Sequence, residues 1–360
     1  MKNLFIFPFF AILFFLGSCN KDMGLQQVAN NFSTKDSILA MKIGTMSFLP
    51  YSPTRVLISS NTVNSSSGIT DNGGVFYPSV KMEVNIWGDY VDGHINSATT
   101  NVDSDYILVG GGARVSDLSN NSSNVNALLT AAYPVNDNSF YFYNAASKDH
   151  IQFYNHRLWV YAIGIKFYLY SLKSHAYYPI DRNVLLPYFS INTTSTPVAQ
   201  HPHGISYAPS GYSVLSGGAL LTWQNPSGGN MLVENGISDG GAPIHFTEST
   251  GKDHITATPA VLQTFTLSVN NNLIYIGPLD IQQKITSTFN VQHLQTLTQS
   301  TDPGYLLAGI GAYTTYSGSG RMLYAMYPLN GQTTFIGGKD HVWSDISGGL
   351  VSEIYEIKLP

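Results

Sequence analysis

The chain has 360 residues, of which 11% are charged and 43% hydrophobic, and a formal net charge of −5. An ordinary soluble domain carries roughly 25% charged residues; here Ser, Thr, Asn, Gly and 23 Tyr stand in their place. There is no basic block to displace counterions, which argues against nucleic acid and against electrostatic attachment to a membrane.

The first element is an apolar run from Leu4 to Leu16 behind Lys2, too short to span a bilayer comfortably. It ends in Leu16-Gly17-Ser18-Cys19, and Cys19 is the single cysteine, so no disulfide framework exists. These four residues resemble the lipobox of bacterial lipoproteins. The resemblance implies a signal peptide over residues 1–18, lipidation of Cys19, and an exported protein held in the outer membrane or at the cell surface by its lipid alone. Asn20, in the place of an Asp, gives no indication of retention in the inner membrane. An ordinary secretory signal with an incidental Cys is the alternative. Residues 19–37 are polar and aperiodic, and read as a flexible tether.

From Met41 onward the pattern is all-β. Short alternating runs such as Val84, Ile86 and Ile107, Val109 are separated by Gly, Asn, Ser and Pro clusters. No stretch sustains a helical apolar period beyond about two turns, so few helices are expected. Three landmarks then recur in order. The first is Tyr106–Ala113 (YILVGGGA), Tyr212–Ala219 (YSVLSGGA) and Tyr305–Ala312 (YLLAGIGA). The second is Lys148-Asp149-His150, Lys252-Asp253-His254 and Lys339-Asp340-His341. The third is a closing strand: Tyr161, Ile163, Ile165; Phe265, Leu267, Val269; Tyr355, Ile357, Leu359. Leu129–Pro134 and Leu323–Pro328 add a Leu-x-x-x-Tyr-Pro block that is degenerate around Leu232.

Ordered recurrence at this spacing predicts three tandem antiparallel β-sandwich or Greek-key repeats, strung in a row or closed with pseudo-threefold symmetry. The boundaries are 38–170, with extra N-terminal strands, 171–270 and 271–360. Alternation in the second closing strand places Phe265, Leu267 and Val269 on a buried face and Thr264, Thr266 and Ser268 on a wet one. The glycine blocks lack the following helix of a phosphate loop and read as strand kinks. The glycine block, Tyr-Pro, Lys-Asp-His and Val160–Ile165 (VYAIGI) resemble a module repeated in secreted bacterial proteins. That family has no assigned activity, so the resemblance implies a secreted β-module and transfers no catalytic residue.

The tripeptides carry two readings. In one, each Asp caps a turn while Lys points to water. In the other, Lys148, Asp149, His150, Lys252, Asp253, His254, Lys339, Asp340 and His341, with Trp343, form three equivalent surface ligand sites. His94, His201 and His293 stand at matching distances before the glycine blocks. Each lone His, added to an Asp-His pair, supplies the donor types of a divalent metal site; the alternative is that these histidines hydrogen-bond an Asp or a carbonyl. No HxxH or HExxH spacing is present, and no other cofactor is indicated. Trp87, Trp159, Trp223 and Trp343 are the aromatics with faces for a sugar ring. The expected function is multivalent binding of a glycan or surface protein by a lipid-anchored envelope protein. The rivals are a purely structural or adhesive protein, and a hydrolase using Asp and His.

Overall fold

The computed structural model describes residues 54–360 except 66–67, 71–73, 75, 78, 120–125, 150–153, 224–228, 239–243, 254–257, 291–293, 317–320 and 341–347. The residues expected to form the signal and the tether therefore lie outside the described residues, as do His150, His254, His293, His341 and Trp343. The fold is all-β and antiparallel. Helix is confined, among the described residues, to α1 (Arg182–Leu185) and a single 3-10 turn after it. No described helix is long and apolar enough to cross a membrane.

Three strands come first: β1 (Val56–Asn64), β2 (Ile69–Thr70) and β3 (Phe76–Tyr77). A first stretch supplies β4 (Val80–Gly93), β5 (Ile95–Asn101), β6 (Ile107–Ser116), β7 (Ala127–Pro134), β8 (Phe142–Asp149) and β9 (His156–Ser171). After β10 (Ala176–Pro179) and α1, a second stretch supplies β11 (Phe189–Ser195), β12 (His203–Tyr207), β13 (Tyr212–Trp223), β14 (Asn230–Ile237), β15 (Phe246–Asp253) and β16 (Ala260–Asn270). The last supplies β17 (Asp280–Asn290), β18 (Leu294–Ser300), β19 (Leu306–Tyr316), β20 (Arg321–Asn330), β21 (Thr333–Asp340) and β22 (Gly348–Lys358).

These strands form three large sheets, and each sheet mixes two stretches. Sheet I runs β1-β4-β9-β6-β20-β21-β18, with β10 also on β9; sheet II runs β11-β16-β13-β7-β8-β5; sheet III runs β12-β15-β14-β19-β22-β17. Sheet I curls on itself: β1 returns to the turn after β20, where the Gly331 N–H donates to Ser59 Oγ at 3.1 Å. In sheet III, β17 is the last strand among the described residues, with Ile285 and Phe289 exposed along it.

The glycine blocks sit where the three sheets meet. Just before Gly110, Ser216 and Gly309, the strands β6, β13 and β19 each carry a bulge against their neighbours β9, β16 and β22. A side chain on Gly110 would collide with the backbone of Ala308, and one on Gly309 with the backbone of Leu215. Close backbone approach is what glycine permits there. The last glycine of each block has another task. Gly112 lies in register with Tyr161 and against the backbone of Tyr327, and these two rings stack across it with centroids 5.2 Å apart. Gly218 lies in the same way between Phe265 and Tyr133, stacked at 4.7 Å. The Tyr-Pro block is thus the partner of the glycine block in the adjoining stretch.

One expectation is corrected. Thr264, Thr266 and Ser268 are not wet; all three are fully buried. Strand β16 lies inside sheet II, and its polar side faces β12 and β15 across a thin hydroxyl layer. Thr266 Oγ1 donates to the Ser206 carbonyl at 2.7 Å and lies 2.8 Å from Thr247 Oγ1. Hydrogen bonding makes the burial of Thr266 tolerable, whereas Thr264 Oγ1 and Ser268 Oγ are buried without a hydrogen-bond partner.

Candidate functional site

Strands β8, β15 and β21 each end in the Lys-Asp of a tripeptide. Their final residues sit opposite the first residues of β7, β14 and β20: Asp149 with Ala127, Asp253 with Asn230, Asp340 with Arg321. The placement matches three times, but the exposure does not suit three surface sites. Lys148, Asp149 and Lys339 are buried. The reason is cover from aromatics: Lys148 Nζ lies 5.0 Å from the Trp223 ring centroid and Lys339 Nζ 5.4 Å from that of Tyr324. Burial drives the Lys339 ammonium down to about 7, against the opposing pull of the Asp149 charge from the first stretch. Lysines expected to reach water are instead held inside.

The middle corner is the open one. His201 Nε2 lies 2.5 Å from Asp253 Oδ1, Gln200 Nε2 donates to Oδ2 at 2.8 Å, and Lys252 Nζ stands 3.8 Å away. Burial alone would raise this carboxyl, but those hydrogen bonds and the Lys252 charge hold it below the usual aspartate range. His201 is more than half exposed at this corner. The lone His and the tripeptide Asp do converge here, as an ion-pair geometry. In the first stretch the link is through the backbone, Asp149 N–H to the His94 carbonyl at 3.3 Å. Among the described residues no group of three His, Cys, Asp or Glu is arranged to hold a metal ion.

The corner of the first stretch holds a pair that sequence reasoning missed. Ser147 Oγ and His156 Nε2 are 2.7 Å apart, both side chains buried, and Asn96 Nδ2 donates to the His156 carbonyl at 3.0 Å. Burial lowers the His156 imidazole to about 4, so it is neutral at pH 7. A Ser-His contact invites a nucleophile–base reading. The other two corners argue against it. Where Ser147 stands, the second and third stretches have Gly251 and Gly338, and a side chain there would meet Asn230 and Leu221, or Leu350 and Arg321. Asn230 Nδ2 donates to the Gln200 carbonyl at 2.7 Å, and Arg321 bonds Gln295. Three different polar groups therefore plug one corner, and Ser147–His156 is one of the three plugs.

A half-exposed aromatic constellation lies on one face of sheet I. Register puts Tyr90, Trp159 and Arg114 side by side, then Tyr327 beside Phe335. Their rings run on continuously: Tyr90–Trp159 at 4.8 Å, Trp159–Tyr161 at 6.1 Å, Tyr161–Tyr327 at 5.2 Å and Tyr327–Phe335 at 5.3 Å. The Arg114 guanidinium lies 5.5 Å from the Trp159 centroid and 5.0 Å from that of Tyr327, and Arg157 lies 3.9 Å from that of Tyr90 while forking onto Asp92. Tyr161 and Tyr327 are buried, whereas Tyr90, Trp159 and Phe335 keep part of their faces in solvent. Of the other candidate tryptophans, Trp87 is buried and Trp223 lies under Lys148.

Sheet III differs at the matching place. Glu353 pairs with Gly311 as Tyr161 pairs with Gly112, and the neighbour is Gly236, with φ of +65°, in place of a Tyr. The Glu353 carboxylate accepts the Ser238 N–H at 3.0 Å, and burial raises it to about 7. The missing Tyr-Pro of the second stretch thus coincides with a carboxylate filling the space of a stacked ring.

The Tyr ahead of the first and third glycine blocks also gains a role. Tyr106 donates to Glu83 at 2.6 Å, with Lys166 near its ring; Tyr305 bonds Asp280, with Lys358 near its ring. Burial and the adjacent carboxylate push both phenols up. Acids at the starts of β4 and β17 were the available signal for this contact.

Comparison with protein-family models and with the curated proteins gives no match.

Proposed function

We propose that this is a lipid-anchored cell-envelope protein that binds a glycan on the aromatic row of sheet I. The observation that carries the reading is that row: five rings in register across four strands, three of them part-exposed, with Arg114 among them. Sugar rings present C–H faces that rest on such rings, and arginine supplies planar donors to their hydroxyls. Anchoring through Cys19 rests on the lipobox resemblance, and export follows from it.

The architecture proposed with it is one six-strand unit present three times and closed about a pseudo-threefold axis. Strand order supports this: each sheet takes the first, sixth and third strands of one stretch, then the fourth, fifth and second of the preceding one, the first following the third. The three matching bulges support it as well. Under this reading, ligand binding does not follow the threefold, because sheets I, II and III carry different side chains at matching places.

The test is a glycan array probed with the purified chain, with and without chelator, followed by titration of the best glycan. Trp159→Ala should weaken binding by roughly tenfold, the order of one lost ring contact, with the unfolding midpoint little changed. Unaltered affinity in a folded variant would sink the proposal. A second reading, a purely structural or adhesive protein, is favoured by the burial of Lys148, Asp149 and Lys339; no glycan binding at all would leave that one standing.

A further inference from the structure

Sheet III carries a row of reactive side chains at a place that the other two sheets fill with small ones. Register across β12, β15, β14 and β19 sets His203 beside Thr250, Thr250 beside Glu234, and Glu234 beside Tyr313. The same succession runs Thr296, Gly337, Ala325, Arg114 in sheet I and Ser97, Ala146, Ala131, Leu220 in sheet II. In those sheets the fold closes with alanine or glycine at the two middle positions. Packing therefore does not demand an acid and a hydroxyl there.

Glu248 joins the row. It lies two positions before Thr250 on β15, hence on the same face and diagonal to Glu234. His203 Nε2 stands 3.2 Å from its Oε2. Farther along that face come Phe246 and Tyr207, a registered pair with ring centroids 5.5 Å apart. Tyr207 and His203 are exposed, and Phe246, Glu248, Thr250 and Tyr313 are half-buried. The two glutamates have different surroundings. Glu248 is the wetter, its side chain 30% exposed, whereas Glu234 is 7% exposed. The Thr250 hydroxyl donates to Glu234 Oε2 at 2.5 Å, so a proton on this carboxyl belongs to Oε1. Burial raises the Glu234 carboxyl, the Thr250 bond opposes it, and the nearby Glu248 charge raises it further. Diagonal neighbours stand roughly 7–8 Å apart, and two carboxyl groups separated by that order of distance leave room for a water between acid and base.

We propose that this face of sheet III hydrolyses a glycosidic bond, with Glu234 as the acid and Glu248 as the base. A sugar resting on Tyr207 and Phe246 brings the bond to its neighbour over the two glutamates. Glu234 gives its Oε1 proton to the bridging oxygen as the bond from that oxygen to the anomeric carbon breaks. A water adds to the anomeric carbon and passes a proton to Glu248. Return of that proton to Glu234 through solvent restores the site, and no other reactant is consumed. Thr250 orients Glu234 and His203 orients Glu248. The inference uses sheet III alone and does not rest on glycan binding by the aromatic row of sheet I.

The test is turnover by the purified full chain on a panel of dinitrophenyl glycosides and soluble polysaccharides, read as released phenol and as new reducing ends. The parent should turn over at least one member of the panel. Glu248→Gln should lower kcat roughly hundredfold or more on every substrate. Glu234→Gln should do the same on polysaccharide, whose leaving oxygen needs a proton. On dinitrophenyl glycosides, whose leaving group departs without one, it should lose much less; a merely structural Glu234 would depress both alike. If Glu234→Gln does not fold, Glu248→Gln, at the wetter residue, carries the test. No turnover by the parent on any member of the panel overturns the proposal, as does undiminished turnover of polysaccharide by either folded variant.

Discussion

Burial acts on His156, Lys339 and Glu353 by one mechanism and with different consequences. Each neutral form is favoured inside the protein, so the histidine falls to about 4, the lysine to about 7, and the glutamate rises to about 7. Linkage then sets the signs. Between pH 4 and 6.5 the unfolded chain holds more protons on His156 than the native one, so stability from this group is lost as pH falls through that window. Between pH 4.5 and 7 the native chain holds the extra proton on Glu353, so stability from it is lost as pH rises. For Lys339 the unfolded state holds more protons between pH 7 and 10.5, and stability grows with pH there. Urea unfolding of His156→Asn should be flatter than the parent between pH 4 and 6.5. Glu353→Gln should gain stability relative to the parent at pH 8 compared with pH 5; a difference of the opposite sign would refute the burial assignment.

At the scale of the strand, the bulge and the glycine after it act together. The bulges in β6, β13 and β19 bring three backbones to one place, and Gly309 is where β19 touches β13. Gly309→Ala forces a methyl against the Leu215 carbonyl, and overpacking of this kind costs about 1–3 kcal/mol. It should show as a lower urea midpoint with an unchanged slope. The hydroxyl layer under β16 makes a second case. Thr266→Val keeps the shape but removes the donor to the Ser206 carbonyl, and an unsatisfied buried acceptor costs about 1–3 kcal/mol. A neutral effect would mean that the layer is hydrated rather than closed.

For the whole molecule, sharing of sheets makes each stretch depend on the others. A chain ended after Asn270 would leave β6 and β14 without their partners β20 and β19 from the last stretch. It should show no cooperative unfolding by circular dichroism and should aggregate, whereas three self-sufficient sandwiches would leave the first two intact. The same sharing decides what could be read in advance. All-β content, scarce helix, the kinked glycine blocks and the closing strands were legible, because period and punctuation are local. The wet face assigned to Thr264, Thr266 and Ser268 was not, since alternation reports two different faces and not what covers them. Lys148 and Lys339 misled for the same reason: their cover comes from Trp223, well over fifty residues along the chain, and from the aromatic Tyr324 on the neighbouring strand. The role of Gly112 between Tyr161 and Tyr327 needed the order of strands, which no single stretch encodes.

Strand β17 leaves a row of backbone groups at the margin of sheet III, with Ile285 and Phe289 beside them. Such margins invite fibrils. At its midpoint Lys284 Nζ reaches Asp302 at 2.5 Å and the Ser300 carbonyl at 3.1 Å. An incoming strand would have to strip that ammonium of its anion or bury it beneath a new layer. One gatekeeper charge thus guards sheet III at an otherwise sticky border, and high local concentration becomes compatible with solubility.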